Sequence, residues 1–232
     1  MFLLSWCHVG GSSRILFYNI PDFKSHLISA LPLLKRLVEK GHNVTALTNL
    51  LKKADEPFSW NNLLKDASGV VIDMPGIFMA PSPTGHDVMD FGAHCKPAAQ
   101  LPRELRSFVN DPQSKGTILV AFGSIINWSV TPQHIVEKFR AAFERMRDYR
   151  IIWGYRGGGE LSGLPPHVKI MEWVPQNDIL HHEKTVLFFS HGGLKSVKEA
   201  ICASTPMLVM PLFAEQLSNA MEVNINMKVI CM

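Results

Sequence analysis

From Thr117 onward the chain alternates short apolar runs with amphipathic segments, and this alternation most constrains its fold. Thr117 to Gly123 (TILVAFG) has no polar residue after its first position. A strand that is apolar on both faces is buried on both, as in parallel sheets covered by helices. Thr131 and Pro132 supply an N-cap and a first-turn proline. Ile135, Phe139, Phe143 and Met146 then fall on one helical face. Further strands are expected at Arg150–Tyr155, His167–Glu172, Val186–Ser190 and Met207–Pro211, with helices near 195–203 and 214–225. The order β-α-β-β-(short helix)-β-α-β-α suits a Rossmann-like α/β layer.

Upstream, Arg14–Tyr18 and Asn43–Leu47 read as strands. Between them Leu27, Leu31, Leu34 and Val38 mark a helical face closed by Gly41, with Pro32 inside it. This is a β-α-β unit. From Leu50 to about Lys96 prolines interrupt the pattern and only Val70–Ile72 reads as a strand core. Residues 96–116 are polar and contain Pro, which reads as a linker between residues 1–95 and 117–232.

The chain has 232 residues, 47% apolar and 19% charged, with a net charge of +3. That is ordinary globular composition, and without a Lys/Arg run it does not suggest nucleic acid. Cys7, Cys95, Cys202 and Cys231 form no Cys-x-x-Cys pair, so they read as buried or free thiols. No apolar run reaches the length of a membrane span. The first residues make only a weak signal peptide, lacking a charged start.

Residues at the expected strand ends carry chemistry. Ligands of open parallel sheets sit beyond the carboxyl ends of strands, where helix N-termini meet anions. His191, Gly192 and Gly193 fall at such an end, with Ser196 and Glu199 on the following helix. Each has a plainer reading. His191 is then a solvent-facing turn histidine, Trp173 a core residue and Glu199 a surface carboxylate. His181-His182-Glu183 is not read as a metal site, because adjacent helical side chains do not converge. Asn43-Val44-Thr45 and Asn127-Trp128-Ser129 match the N-glycosylation pattern.

Taken together, Glu172 to Val223 (EWVPQNDILHHEKTVLFFSHGGLKSVKEAICASTPMLVMPLFAEQLSNAMEV) closely resembles the signature of UDP-glycosyltransferases, specifically the animal UDP-glucuronosyltransferase branch. The resemblance implies a GT-B-type fold, two Rossmann-like α/β domains facing across a cleft. The N-terminal domain is then heavily shortened and the C-terminal one cut short. It implies that Trp173 stacks on uracil with Val174 and Gln176 near the nucleoside, and that Glu199 accepts ribose hydroxyls. His191, Gly193, Ser196 and Ser124 then meet the diphosphate. Lys195, where the family commonly has Asn, lies beside it. Glu215 and Gln216 stand where the family commonly has Asp-Gln on sugar hydroxyls. Ser25-His26 resembles the start of the acceptor domain, with His26 as general base. No residue matches the aspartate that partners this histidine.

The implied reaction is inverting transfer of a sugar from a UDP-sugar, UDP-glucuronic acid or UDP-glucose, to a hydroxyl of a small lipophilic acceptor. The UDP-sugar is a substrate, and neither a cofactor nor a metal is implied. The resemblance also implies residence in the endoplasmic reticulum and association with like or related transferases. The shortened N-terminal part leaves a second reading open: a UDP-binding module without catalysis, or a partner of a full-length relative.

Overall fold

The computed structural model describes the backbone of residues 2–9, 12–19, 35–41, 43–47, 70–72, 88–90 and 95–231, except 125, 158, 160, 214, 228 and 229. Side chains are described for 35–41 and, with the same exceptions, for 95–223. The chain divides into two compact units, Met1–His94 and Cys95–Met232.

In the first unit β1 (Phe2–Val9) pairs antiparallel with β2 (Ser12–Asn19), which pairs parallel with β3 (Asn43–Leu47). The expected parallel β-α-β pairing is therefore present, in the register Arg14↔Asn43 to Tyr18↔Leu47. The strand made by the first residues was not anticipated. Gly41 ends the helix of residues 35–39 with φ +84°, as a glycine after a helix does. Leu27, Leu31 and Leu34 lie outside the described residues, and Val38 is exposed. β4 (Val70–Ile72) pairs parallel with β5 (Val88–Asp90).

The second unit holds a six-stranded sheet of β6 (Thr117–Ala121), β7 (Arg150–Gly154), β8 (Val168–Met171), β9 (Thr185–Ser190), β10 (Met207–Val209) and β11 (Ile230–Cys231). All neighbours pair parallel, in the order β8-β7-β6-β9-β10-β11. Counted from β6 this is 3-2-1-4-5-6, the doubly wound Rossmann order. Its helices are α1 (Arg103–Val109), α2 (Gln133–Glu144), α3 (Gln176–Leu180), α4 (Leu194–Cys202) and α5 (Gln216–Met227).

Alternation along the central strands divides two cores, because successive side chains leave opposite faces. Ile118, Val120, Phe122, Ile151, Trp153 and Tyr155 enter an aromatic core with Val136 and Phe143 of α2. There Trp128 stacks on Tyr155, its ring centroid 5.4 Å away, and meets Trp153 edge-on at 4.8 Å. Leu119, Ala121 and Ile152 enter an aliphatic core with Ile179 and Leu180 of α3, Val197 and Ala200 of α4, and Val223 of α5. Of the expected α2 face, Phe143 is buried and Met146 exposed. Val136 is the buried residue that the spacing missed.

Two expectations are corrected. Residues 96–116 are not a free connector, because Leu101, Leu105 and Val109 are buried in the aliphatic core. Isolated apolar residues in a Pro-containing segment gave that reading, but α1 gathers Leu105 and Val109 on one face. Asp111 then accepts from Arg150 Nε at 3.0 Å. Cys95 and Cys202 are not free thiols but a disulfide whose Cα atoms are 5.5 Å apart.

β6 is buried throughout, so truncating it should be costly. Leu119→Ala removes a side chain with no exposure and should cost about 2–5 kcal/mol. Val130→Ala, at 79% exposure, should stay within about 0.5 kcal/mol. Urea unfolding of both variants against the parent checks this.

Candidate functional site

The strand order reverses between β6 and β9, and a doubly wound sheet opens its ligand crevice at that switch point. Beyond the carboxyl ends of these two strands stand Gly123 and His191. A Cβ on Gly123 would lie 2.8 Å from His191 Nε2, and one on Gly193 would lie 2.5 Å from it. The imidazole is therefore held between two glycines. Gly192 turns the chain with φ +81°, where a Cβ would meet Val209 Cγ1 at 2.6 Å. Two buried polar residues fix this turn. Ser190 Oγ accepts from the Gly192 amide at 3.3 Å, and Asn219 Nδ2 donates to the Gly192 carbonyl at 2.9 Å.

His191 is half-buried rather than solvent-facing. Burial pushes its imidazole below the ordinary value of 6.5, against the opposite pull of Glu215 and of the Ala121 carbonyl. Burial thus favours its neutral form. Gly193 precedes α4 in extended conformation, no side chain caps the helix, and no acid occupies its first turn. The exposed first-turn residue is instead Lys195. A lysine at the positive end of a helix opposes the helix dipole, so this end of α4 suits an anion.

One face of α4 carries the second half of the site. Ser196 is buried, and the Glu199 side chain is only 15% exposed, so Glu199 is not a surface carboxylate. Gln176, first residue of α3, reaches across from its Nε2 to Ser196 Oγ at 3.2 Å and Glu199 Oε2 at 2.6 Å. Lys195 Nζ lies 4.0 Å from Glu199 Oε1. Gln176, Lys195, Ser196 and Glu199 thus form one polar ledge. Its carboxylate can accept two hydroxyls, beside a helix end that can meet negative charge. Trp173 is 73% exposed, which overturns the core reading and leaves its indole free for stacking. Val174 is half-buried against the aliphatic core.

Other expected residues stand differently. Glu215 is exposed, whereas Gln216 is buried and its Oε1 accepts from the amides of Leu212 at 2.9 Å and Phe213 at 3.2 Å. Gln216 therefore shapes its own loop. Ser124 is half-buried and its carbonyl accepts from Arg156. His26 lies outside the described residues. Sequence reasoning missed Ser190, Asn219 and Arg156, whose side chains bond to backbone atoms of Gly192 and Ser124. Asn219, one helical turn after Gln216, offered only its spacing as a signal. Among the described residues, no three His, Cys, Asp or Glu side chains gather as metal ligands.

Comparison with known proteins agrees with this geometry. The family model for UDP-glucoronosyl and UDP-glucosyl transferase matches residues 53–230. A UDP-glucuronosyltransferase of Pleuronectes platessa is 40% identical over 133 residues, 56% of this chain and 27% of the relative. UDP-glucuronosyltransferase 2A3 of Cavia porcellus is 34% identical over 145 residues, 58% of this chain and 26% of the relative. The chain thus spans about a quarter of the length of these curated relatives. Among solved structures, the calicheamicin glycosyltransferase CalG4 superposes with TM-score 0.56 at 19% identity, covering 91% of this chain and 48% of that one. A UGT transferase from Siraitia grosvenorii in complex with UDP gives TM-score 0.51 at 20% identity, over 62% of this chain and 39% of that one. With a doubly wound sheet, a polar ledge at its switch point and a family match over most of its length, the chain belongs to the UDP-glucoronosyl and UDP-glucosyl transferase family and has a GT-B-type glycosyltransferase fold.

Proposed function

We propose that the chain binds a UDP-sugar at this ledge and transfers the sugar, with inversion, to a hydroxyl of a small lipophilic acceptor. The observation that carries the reading is the Gln176–Ser196–Glu199 ledge beside the uncapped N-terminus of α4. Glu199 accepts the two ribose hydroxyls, Gln176 and Ser196 orient it, and Trp173, with Val174 behind it, stacks on the base. The α4 amides, Gly193, Lys195, His191 and Ser124 meet the diphosphate. Glu215 faces the sugar hydroxyls, and Gln216 holds the loop that presents it. The acceptor oxygen bonds to the anomeric carbon, the bond to the UDP oxygen breaks, and His26 takes the acceptor proton. Positive groups at the diphosphate stabilise the charge that develops on the departing UDP. UDP-glucuronic acid and UDP-glucose are the donors proposed, given the names of the relatives.

The Cys95–Cys202 disulfide supports an oxidising compartment, and we assign the endoplasmic reticulum. Among the described residues no helix is long and apolar enough to cross a membrane.

Calorimetry tests donor binding. Glu199→Gln should weaken UDP by about 10- to 100-fold, the value of a hydrogen bond to a charged group, and leave pyrophosphate unchanged. Trp173→Ala should weaken UDP more than Trp173→Phe. Equal loss of UDP and pyrophosphate in Glu199→Gln would remove the ribose assignment.

The pH dependence follows from His191. Burial holds its free pKa below 6.5, and a bound diphosphate raises it, so the complex binds more protons than the free chain. Affinity for a UDP-sugar should therefore rise as pH falls from about 8 to 5.5. His191→Asn should flatten this profile, and an unchanged profile would place the diphosphate away from His191.

Turnover is read as UDP release with a panel of phenols and steroids. His26→Ala should lower it at least about a hundredfold. UDP binding without turnover in the parent chain would favour the non-catalytic module.

A further inference from the structure

The segment that leads into α1 is tied to both helices of the polar ledge. Cys95 is bonded to Cys202, the last residue of α4, whose Glu199 carries the ledge carboxylate. The same segment is tied to α3 next to Gln176. The Ala99 amide donates to Asp178 Oδ1 at 2.8 Å, and Asn177 Nδ2 donates to the Pro97 carbonyl at 3.2 Å. One strand of chain, 95–99, thus joins α3 to α4 by a covalent bond at one end and two hydrogen bonds at the other. Directly between these helices, Gln176 bonds to Ser196 and Glu199.

We propose that this strap is a positioning clasp for the ledge, and that the redox state of Cys95–Cys202 sets the grip of Glu199 on the ribose hydroxyls. The proposal rests on the reading of the ledge as a nucleotide site.

The physical reason is leverage on a short helix. α3 has only 5 residues, too few to hold a fixed direction by its own hydrogen bonds. Its C-terminal end is held by Ile179 and Leu180 in the core and by their carbonyls, which accept from Thr185 and Thr205, so the strap acts on the first turn that carries Gln176. The Gln176–Glu199 bond, at 2.6 Å, weakens steeply when its geometry shifts. With the disulfide open, the strap loses its covalent tie to α4, and Gln176 fixes the carboxylate rotamer less firmly. The chain stays folded, because Leu101 and Leu105 anchor the segment in the aliphatic core whether or not the sulfurs are joined. Cys95 is exposed and Cys202 half-buried, so the bond is reachable from solvent. Reduction by a small dithiol breaks the Cys95–Cys202 bond and leaves two thiols. The dithiol supplies the two electrons and two protons and becomes a cyclic disulfide. Of the diphosphate groups, His191, Gly193 and Ser124 lie away from the clasp, and Lys195 meets it only through Glu199, 4.0 Å from its Nζ.

The test uses the full 232-residue chain carrying Cys7→Ser and Cys231→Ser, so that no other thiol exchanges. UDP and pyrophosphate affinities are measured by calorimetry before and after dithiol treatment, with circular dichroism monitoring the fold. The expected result is about a tenfold loss for UDP on reduction, the factor that 1.4 kcal/mol represents. Pyrophosphate should be unchanged, and reoxidation should restore UDP affinity. In a Glu199→Gln background reduction should cause no further loss, which general loosening of the fold would not explain. Asp178→Ala removes one tie with the disulfide intact. It should lower UDP affinity by a smaller factor with the same selectivity, and it carries the test if the reduced chain unfolds. Equal UDP affinity in both redox states overturns the clasp, as does equal loss for pyrophosphate, persistence of the loss in Glu199→Gln, or an unselective Asp178→Ala. Failure of the oxidised chain to bind UDP at all overturns the nucleotide reading itself, and the clasp with it.

Discussion

β6 runs through the middle of the second unit with all five residues buried, and its two faces feed two chemically different cores. Such a strand can be satisfied only by parallel neighbours on both edges and helices on both faces. β7 and β9 supply the edges, and the chain must leave β6 in one direction first and the other direction later. The gap between the loops after β6 and β9 is a consequence of that reversal. Gly123 and His191 meet there because their strands are neighbours in the sheet, though they are far apart in sequence.

The two cores also explain why the site is asymmetric. The aromatic side packs Trp128, Phe139, Phe143, Trp153 and Tyr155 at centroid distances between 4.7 and 5.9 Å. It is dense, and Trp128 Nε1 is tied to the Gly154 carbonyl at 2.9 Å. The aliphatic side carries the shorter helices α3 and α4, and these hold Gln176, Ser196 and Glu199. Polar function sits on the side where the first turn of α3 meets Ser196 and Glu199 on one face of α4.

Much of this was readable in the sequence. The apolar runs placed β6, β7, β9 and β10 to within two residues at each end, because parallel buried strands leave a continuous apolar trace, and β8, an edge strand with Lys169 in it, was placed equally well by its alternation. Of the ledge residues, Ser196 and Glu199 were picked out by their place on the helix after β9, and Gln176 and Lys195 only through the family resemblance. What the sequence hid were relations without local periodicity. The pairing of Cys95 with Cys202 spans 107 positions. The burial of Leu101, Leu105 and Val109 depends on a core assembled from elsewhere. Ser190 and Asn219 act on backbone atoms of Gly192, which leaves no pattern in residue type. Gln216 looked like a ligand contact by its position, yet its oxygen is already used by two amides of its loop.

The sandwich of His191 between Gly123 and Gly193 couples three positions sterically, but not equally. Gly193 has a negative φ of −62°, so the imidazole alone forbids a larger residue there. Gly123 has φ +74°, so it is constrained twice, by the ring and by its own backbone. Loss of the histidine would release the first glycine but not the second. Any lineage that abandoned the imidazole would then drift at 193 while keeping glycine at 123. The order of those substitutions would matter, since alanine at 193 is harmful before the histidine is lost and tolerable after it.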